Sequence, residues 1–460
     1  MSTLLADPQS TFPVRDDSQV QARLSQLHAV VDQLLSRAKA GGATEAEAAC
    51  SESGGLNVSV RLGEVETLEY NQDRDVAVTV YIGKRKGSAS TADLSEASLQ
   101  ATIDQALAIA KYTEEDSANG VAEPQYLARE PRDFDVWKPW DITADQAIDL
   151  ARECEAAGRS VSADIRNSEG ASVATGSGLS MYGNSNGFIG ASAGTHHSIG
   201  CAFIAGEGEA MQREGWYDFR IDASQMDSPS SIGINGANKA LERLNPRTIP
   251  TGSYPVVFHR EMARGLLGHL LGALAGSAQY RKASFLLDSV GSSVLPSWIS
   301  ITEDPFLMHG LNSSWFDGDG VATQAADIIT EGHVARYLLS TYSARRLGLE
   351  PTGNAGGSHN LRVSTNAAGL DDLVAQMGTG LLVTQLMGQG VNGITGDYSR
   401  GAGGFWVENG EIQYPVDGIT IAGNLKDMLQ SIVAIGADFD HRSQHRIGSV
   451  LLERMTVAGS

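Results

Sequence analysis

One stretch limits the possible folds most: residues 251–286, where a short strand, Tyr254–Phe258, runs straight into a helix from about Arg260 to Ala275. Met262, Leu266, Leu267, Leu270, Leu271 and Leu274 fall on one apolar face of that helix. Gly265, Gly268, Gly272 and Gly276 form a second stripe. Each interior glycine costs about 1 kcal/mol of helix propensity relative to alanine. A helix that tolerates several either meets another backbone closely along that stripe or is locally weak.

The same stretch carries His259-Arg260-Glu261, with His269 further on. A zinc helix of the HExxH type needs its histidines four apart, so that both imidazoles leave one face. Ten residues put them roughly 15 Å apart along the axis. One ion cannot take both, and two unrelated histidines on a packed helix are expected.

A chain of 460 residues predicts two or three domains. Its 55 acidic against 34 basic side chains give a net charge of −21, which repels phosphate backbones and anionic membranes. Neither nucleic acid nor membrane is therefore an expected partner. Three scattered cysteines, Cys50, Cys154 and Cys201, contain no CxxC pair and point to buried thiols in a reducing compartment. The first residues show no signal-peptide pattern, and no apolar run reaches 18 residues. A cytoplasmic location is expected.

The expected fold is α+β. Residues 1–19 read as a flexible tail. An N-terminal α/β sandwich-like domain with antiparallel sheets covers 20–246, in two subregions of about 20–115 and 130–246. It begins with a helix at 20–40, a linker or short helix at Thr44–Ser53, and alternating strands at 57–62, Glu64–Tyr70 and 76–82. A basic turn at Gly83–Gly87 and a helix at Leu94–Tyr112 follow. The second subregion has a helix at Ala144–Ala157, strands over Ile165–Gly208 and a helix at Gly233–Leu244 before Asn245-Pro246. From 247 to 460 a mainly β domain, barrel-like or built of packed sheets, carries the one long helix. Two further helices are expected there, at Asp371–Met377 and Asn424–Ile435.

Three short motifs lack the context their chemistry needs. Gly388-x-Gly390-x-x-Gly393 is followed by glycine turns rather than a helix, so it is no dinucleotide fingerprint. Gly183-x-Ser185-x-Gly187 has no helix after it and reads as a hairpin turn. Phe316-Asp317-Gly318-Asp319-Gly320 lacks the remaining ligands of a calcium loop. His196-His197, adjacent on a strand, point to opposite faces and cannot share an ion. Ser358-His359 and Asp397–Arg400 read as polar loops that could line a groove.

Longer strings are more specific. The helix from Arg260, Tyr280–Leu286, Phe316–Gly320, Ser343–Gly348 with Thr352-Gly353, Glu408–Pro415 and Ile421–Leu425 together resemble the TldD/PmbA family, also labelled peptidase U62 and modulator of DNA gyrase. Met377–Leu381, Leu386–Gly390 and Ile394–Ala402 with the following Gly-Gly-Phe-Trp-Val-Glu-Asn-Gly are similar to its PmbA/TldE branch. The resemblance covers nearly everything after residue 25. It implies a cytoplasmic two-subunit metalloprotease that cleaves unfolded or leader peptides, in peptide-antibiotic maturation and antitoxin degradation. The TldD-type subunit carries zinc on an HExxxH helix with a cysteine ligand near the C-terminus.

The chain departs from that ligand pattern in either register. With Glu261 as the motif glutamate, the histidine positions hold Arg260 and Gly265. With His259 as the first histidine, the following positions hold Arg260 and Arg264. Arginine offers a cation no lone pair, and glycine has no side chain. No cysteine follows Cys201. The expectation is a subunit with no catalytic or metal-binding residue of its own. It would pair with a TldD-like zinc protease and an unfolded peptide, and could form a homodimer when alone. Gly268, Gly272, His359 and Arg400 are the candidate interface or cavity residues. An independent metallopeptidase with an atypical site and a regulatory interaction protein are the two rival expectations.

Overall fold

The structure, a computed structural model, describes residues 12–14 and 17–459. Most of the expected N-terminal tail therefore lies outside the described residues. Phe12 within it is buried against the His28 ring, and Ser18 and Gln19 already belong to the first helix.

The N-terminal part alternates helices and very long strands. They are α1 (Ser18–Ala40), β1 (Glu45–Arg61), β2 (Glu64–Ile82), β3 (Arg85–Thr91), α2 (Glu96–Tyr112), α3 (Ala144–Arg159), β4 (Ile165–Asn184), β5 (Phe188–Ala205), β6 (Gln212–Arg220) and α4 (Pro229–Glu242). The strands form one antiparallel sheet in the order β3-β2-β1-β4-β5-β6. Even-numbered residues of β1 point to the helices along its whole length. Ala46, Ala48 and Cys50 meet α1 and α2, and Leu56, Val58 and Val60 meet α3. One face of a single sheet thus carries two hydrophobic cores in succession.

Two expectations fail here for the same reason. Thr44–Ser53 is not a linker or helix but the start of β1, and 64–82 is one strand rather than two. The Glu-Ala alternation of 45–49 has weak strand propensity. Pairing on both edges, with β2 and with β4, overrides it. The basic turn narrows to Gly83-Lys84, and Arg85 opens β3.

The C-terminal part contains β7 (Gly252–Phe258), α5 (Arg260–Leu274), α6 (Gly276–Tyr280), β8 (Ile301–Asp304), β9 (Ala326–Thr330), β10 (His333–Val334), α7 (Thr341–Leu347), β11 (Asn360–Val363), α8 (Leu370–Met377), β12 (Gly380–Met387), β13 (Asp397–Glu408), β14 (Glu411–Asn424), α9 (Leu425–Gln430), β15 (Ile432–Ile435), β16 (His445–Arg446) and β17 (Val450–Ala458). Pairing runs β14-β13-β12-β7-β17, and β17 returns to β14 through Thr420–Ala458, Ile421–Val457 and Ala422–Thr456. This closes a five-strand barrel, and β15 pairs with β17 as a sixth strand of the same sheet. A second sheet runs β10-β9-β8-β11-β16. The leucine face of α5 shares a core with Val256, Phe258, Leu381 and Val383, while α8 covers the opposite face through Val257, Leu382 and Leu451. The helix expected over Asn424–Ile435 stops at Gln430, because Ile432–Ile435 pairs with β17 as β15. No described helix is long and apolar enough to cross a membrane.

The glycines divide sharply. A Cβ at Gly404 in β13 would run into the Leu382 carbonyl, whereas a Cβ at Gly265, Gly268 or Gly272 would meet nothing within 4 Å among the described residues. Among the described residues no backbone packs against Gly265, Gly268 or Gly272, whereas Gly276, the fourth glycine of the expected stripe, is buried at the start of α6 against the Ser343 and Leu339 side chains. Chemical denaturation separates the two classes. Gly404→Ala should lose about 1–3 kcal/mol by overpacking. Gly268→Ala should gain up to about 1 kcal/mol from helix propensity. Equal effects at the two sites would contradict this packing.

Candidate functional site

The turn from β7 into α5 is pinned at three points. The His259 backbone N–H donates to the Val383 carbonyl of β12 at 3.0 Å. Arg260 N–H donates to Ser449 Oγ at 3.0 Å, and Ser449 Oγ donates to Asp438 at 2.8 Å. His259 is the helix N-cap, its Nδ1 facing the Glu261 N–H at 3.5 Å. Glu261 therefore starts a helix whose position is set by the barrel on one side and by the segment after β15 on the other.

That segment brings Arg442 onto Glu261. Arg442 Nη2 donates to Glu261 Oε1 at 2.6 Å and to Asp440 Oδ2 at 2.9 Å. Its Nε donates to Asp440 Oδ1 at 2.8 Å, and its Nη1 to the Tyr217 carbonyl at 2.8 Å. The guanidinium carbon lies 4.2 Å from the Trp216 ring centre and 4.4 Å from that of Tyr217. Lys239 of α4 reaches the second oxygen, Glu261 Oε2, at 3.4 Å and also sits over Trp216. Arg264 adds a third cation, 3.7 Å from Asp440. Beside this cluster Asp218 holds His441 at 2.8 Å and Arg220 at 3.0 Å.

The charges decide the protonation states. Burial works to raise the Glu261 carboxyl, but Lys239, His259 and Arg442 outweigh it and hold the group below the ordinary glutamate range. Asp440 is depressed in the same way, with Arg442 and Arg264 overcoming its burial. Burial drives His259 down, with Glu261 opposing and Lys239 and Arg260 reinforcing, so the imidazole stays neutral near pH 7.

This donor set does not fit a zinc ion. Both Glu261 oxygens already accept from cations, and Arg260, Arg264 and Gly265 offer no lone pair. A metal would have to displace both Arg442 and Lys239 from the Glu261 oxygens, leaving Arg442 with Asp440 and the Tyr217 carbonyl alone. The segment near the C-terminus supplies Arg446-Ile-Gly-Ser where a thiol would be needed, and all three cysteines lie in the N-terminal sheet and its helices.

The other sequence candidates are scattered. Gly268 and Gly272 are exposed and line a groove of about 490 Å³ opposite Gly356–Ser358, with His445 at its end. Ser358 borders that groove, but His359 turns inward. Its Nδ1 and its backbone N–H both meet Glu303 Oε1, at 3.0 and 2.6 Å, and Asn354 and Arg336 complete the shell. Arg400 is on β13 rather than in a loop. It faces Tyr398 and His269, whose rings meet edge-on at 6.0 Å, and its Nε is buried without a partner among the described residues. His196 is exposed and His197 is buried between the Thr175 hydroxyl and the Lys138 carbonyl, on opposite faces as expected. Gly183–Gly187 is the β4–β5 hairpin turn, with Gly187 at φ 93°. Gly388–Gly393 likewise turns between β12 and β13.

Sequence reading missed Arg442, Asp440, Lys239 and Trp216. The run Asp438-Phe-Asp-His-Arg442 was its one visible signal: five residues with four ionisable groups in a glycine-rich β region.

Three family domains match the chain in order: PmbA/TldA metallopeptidase domain 1 over 46–110, the central domain over 137–244 and the C-terminal domain over 251–459. Metalloprotease PmbA of Escherichia coli O157:H7 is 47% identical over 96% of this chain and 98% of its own length. The PmbA homologue of Haemophilus influenzae is 43% identical over the same shares. A crystal structure described as a putative modulator of DNA gyrase, from Bacteroides thetaiotaomicron, superposes with a TM-score of 0.90 at 27% identity, covering 94% of this chain and 99% of that one. TldE from Thermococcus kodakarensis has the same fold, with a TM-score of 0.81 at 20% identity over 94% and 100%.

Two measurements test the cluster. Arg442→Met leaves Glu261 and Asp440 facing each other without their shared cation, and should cost about 3–5 kcal/mol in denaturant unfolding. A loss under 1 kcal/mol would show that the guanidinium is not central. His259 has a folded pKa below its unfolded value of about 6.5. Its contribution is therefore complete above pH 6.5 and is lost as pH falls from there toward the folded value. His259→Asn keeps a capping side chain and should flatten the stability profile in that window; an unchanged slope would refute the assignment.

Proposed function

The chain belongs to the TldD/PmbA metallopeptidase family, and on that premise we propose that it is the metal-free subunit of a two-subunit peptidase acting on unfolded or leader peptides in the cytoplasm. The observation that carries this reading is the Glu261–Arg442 contact. A glutamate that activates a metal-bound water must present a free carboxylate oxygen to it. Here one oxygen accepts from Arg442 and the other from Lys239, and the neighbouring side chains are cations. The chain's contribution is then structural: it pairs with a TldD-like zinc protease and helps to shape the peptide cavity.

The exposed glycine stripe supports the same reading. An α5 face with no Cβ at Gly265, Gly268 and Gly272 lets an extended peptide or a partner's backbone approach the helix axis closely. The groove beside it is bordered by Ser277, Ser340, Ser358 and Gln444, small or amide groups that suit main-chain recognition. With no partner present, two copies of the chain could occupy each other's surface.

The test is cleavage of an unfolded peptide by this chain alone, with a TldD-like subunit, and with that subunit's zinc ligands replaced. Activity is expected only with the intact partner, and zinc in the purified single chain should be far below stoichiometric. Chelator-sensitive cleavage by this chain alone, with stoichiometric zinc, would overturn the proposal in favour of an independent metallopeptidase. Gly268→Leu should weaken pairing or peptide capture; unchanged pairing and turnover would remove the stripe from the argument.

A further inference from the structure

A cavity of about 870 Å³ lies where β8, β11 and β16 meet the segment after β15. Strand β16 is two residues long and pairs in parallel with β11, setting Leu361 beside His445 and Arg362 beside Arg446. Paired positions on neighbouring strands lie roughly 5 Å apart and point to the same face of the sheet. Arg362 and Arg446 are both exposed, and both border the cavity. The fold therefore places two like charges next to each other, a pairing that strands ordinarily avoid.

This chain carries 55 acidic side chains against 34 basic ones. Yet neither guanidinium has an ion pair or a hydrogen-bond acceptor among the described residues. Asp304, the one carboxylate bordering the cavity among them, accepts the Phe306 N–H at 2.9 Å and pairs with neither arginine. The adjoining cavity, of about 290 Å³, is built differently. Its His441 and Arg220 are held by Asp218, and its Lys138 and His309 by Asp135. Arg446 lies instead over Phe439, whose ring centre is 5.6 Å from the guanidinium carbon. An aromatic ring takes the face of a guanidinium and leaves its N–H fork free for an acceptor.

We infer that Arg362 and Arg446 form a carboxylate-binding site whose ligand is an acidic stretch of polypeptide, held through its Asp or Glu side chains. Two planar forks suit planar carboxylates, one bidentate pair each. The cavity is large enough for more than a single ion. Its Leu307 and Phe439 offer apolar contact to the rest of a bound chain. A nucleic acid would also attract arginines, but a long polyanion meets the whole field of a chain of net charge −21. One or two carboxylates meet mainly the local pair. The choice of polypeptide rests on the peptidase reading above, whereas the carboxylate site does not.

The test is fluorescence anisotropy of the full chain with a short rhodamine-labelled peptide, amidated at its C-terminus, at about 50 mM salt so that surface charges are only partly screened. One version of the peptide carries two adjacent glutamates and the other two glutamines. The net charge of −21 works against the acidic version, so tighter binding of it reports a local site. It should bind at least about tenfold more tightly than the glutamine version. Arg362→Gln and Arg446→Gln should each weaken it by about tenfold. Arg362→Lys, which keeps the charge but not the fork, should weaken it by about threefold. None of these variants removes an ion pair or a side-chain hydrogen bond among the described residues, so each should fold. Equal affinity for the two peptides, unchanged affinity in both glutamine variants, or displacement by an equal concentration of inorganic phosphate would each overturn the proposal. The assay uses no partner subunit and reads no cleavage. Its failure would leave the peptidase reading standing, and failure of the peptidase assay would leave this site standing.

Discussion

A buried guanidinium holds the two halves of this molecule in register. Arg442 comes from the segment after β15, binds the first turn of α5 through Glu261, and lies between two aromatic rings of β6. Each contact joins a different layer: the barrel's helix, the C-terminal segment and the N-terminal sheet. Arginine suits the position because its planar fork donates in several directions at once and stacks on aromatic faces. The cluster is costly to desolvate. It is tolerable because each of the three cations, Arg442, Lys239 and Arg264, lies within hydrogen-bonding or ion-pair reach of Glu261 or Asp440.

The same contact changes the chemistry available at the start of α5. A carboxylate at a helix N-terminus beside a histidine has the outward form of a hydrolytic site. With two cations on its oxygens it becomes an anchor. The surrounding backbone is unaltered by this: β7 still delivers the chain into α5, and β12 still holds His259 in place. A fold fixes where a carboxylate sits, and the side chains around it decide what that carboxylate can do.

The long helix shows how one sequence pattern can carry two meanings. Its leucines lie where periodicity places them, on the barrel core. Its glycines, identical as residues to Gly404 or Gly390, are open to solvent rather than wedged against a backbone. Propensity cannot distinguish a glycine required by a neighbouring carbonyl from one left bare along a groove. In both cases the helix or strand pays the same entropic cost.

Local pattern was enough for the amphipathic helices, the hairpin turns at Gly187 and Gly388, the antiparallel N-terminal sheet and the mainly β second half. Each depends on spacing within a dozen residues, or on the presence or absence of a side chain. Tertiary structure decided the rest. Strand β1 forms from an Ala- and Glu-rich run because two partners pair with it, and β15 takes the end of a predicted helix because β17 is there to receive it. His359 faces inward because Glu303, fifty-six positions away, needs its proton donors. Arg442 meets Glu261 across 181 positions of chain. No local spacing encodes such a meeting, since only barrel closure brings those segments to the same point.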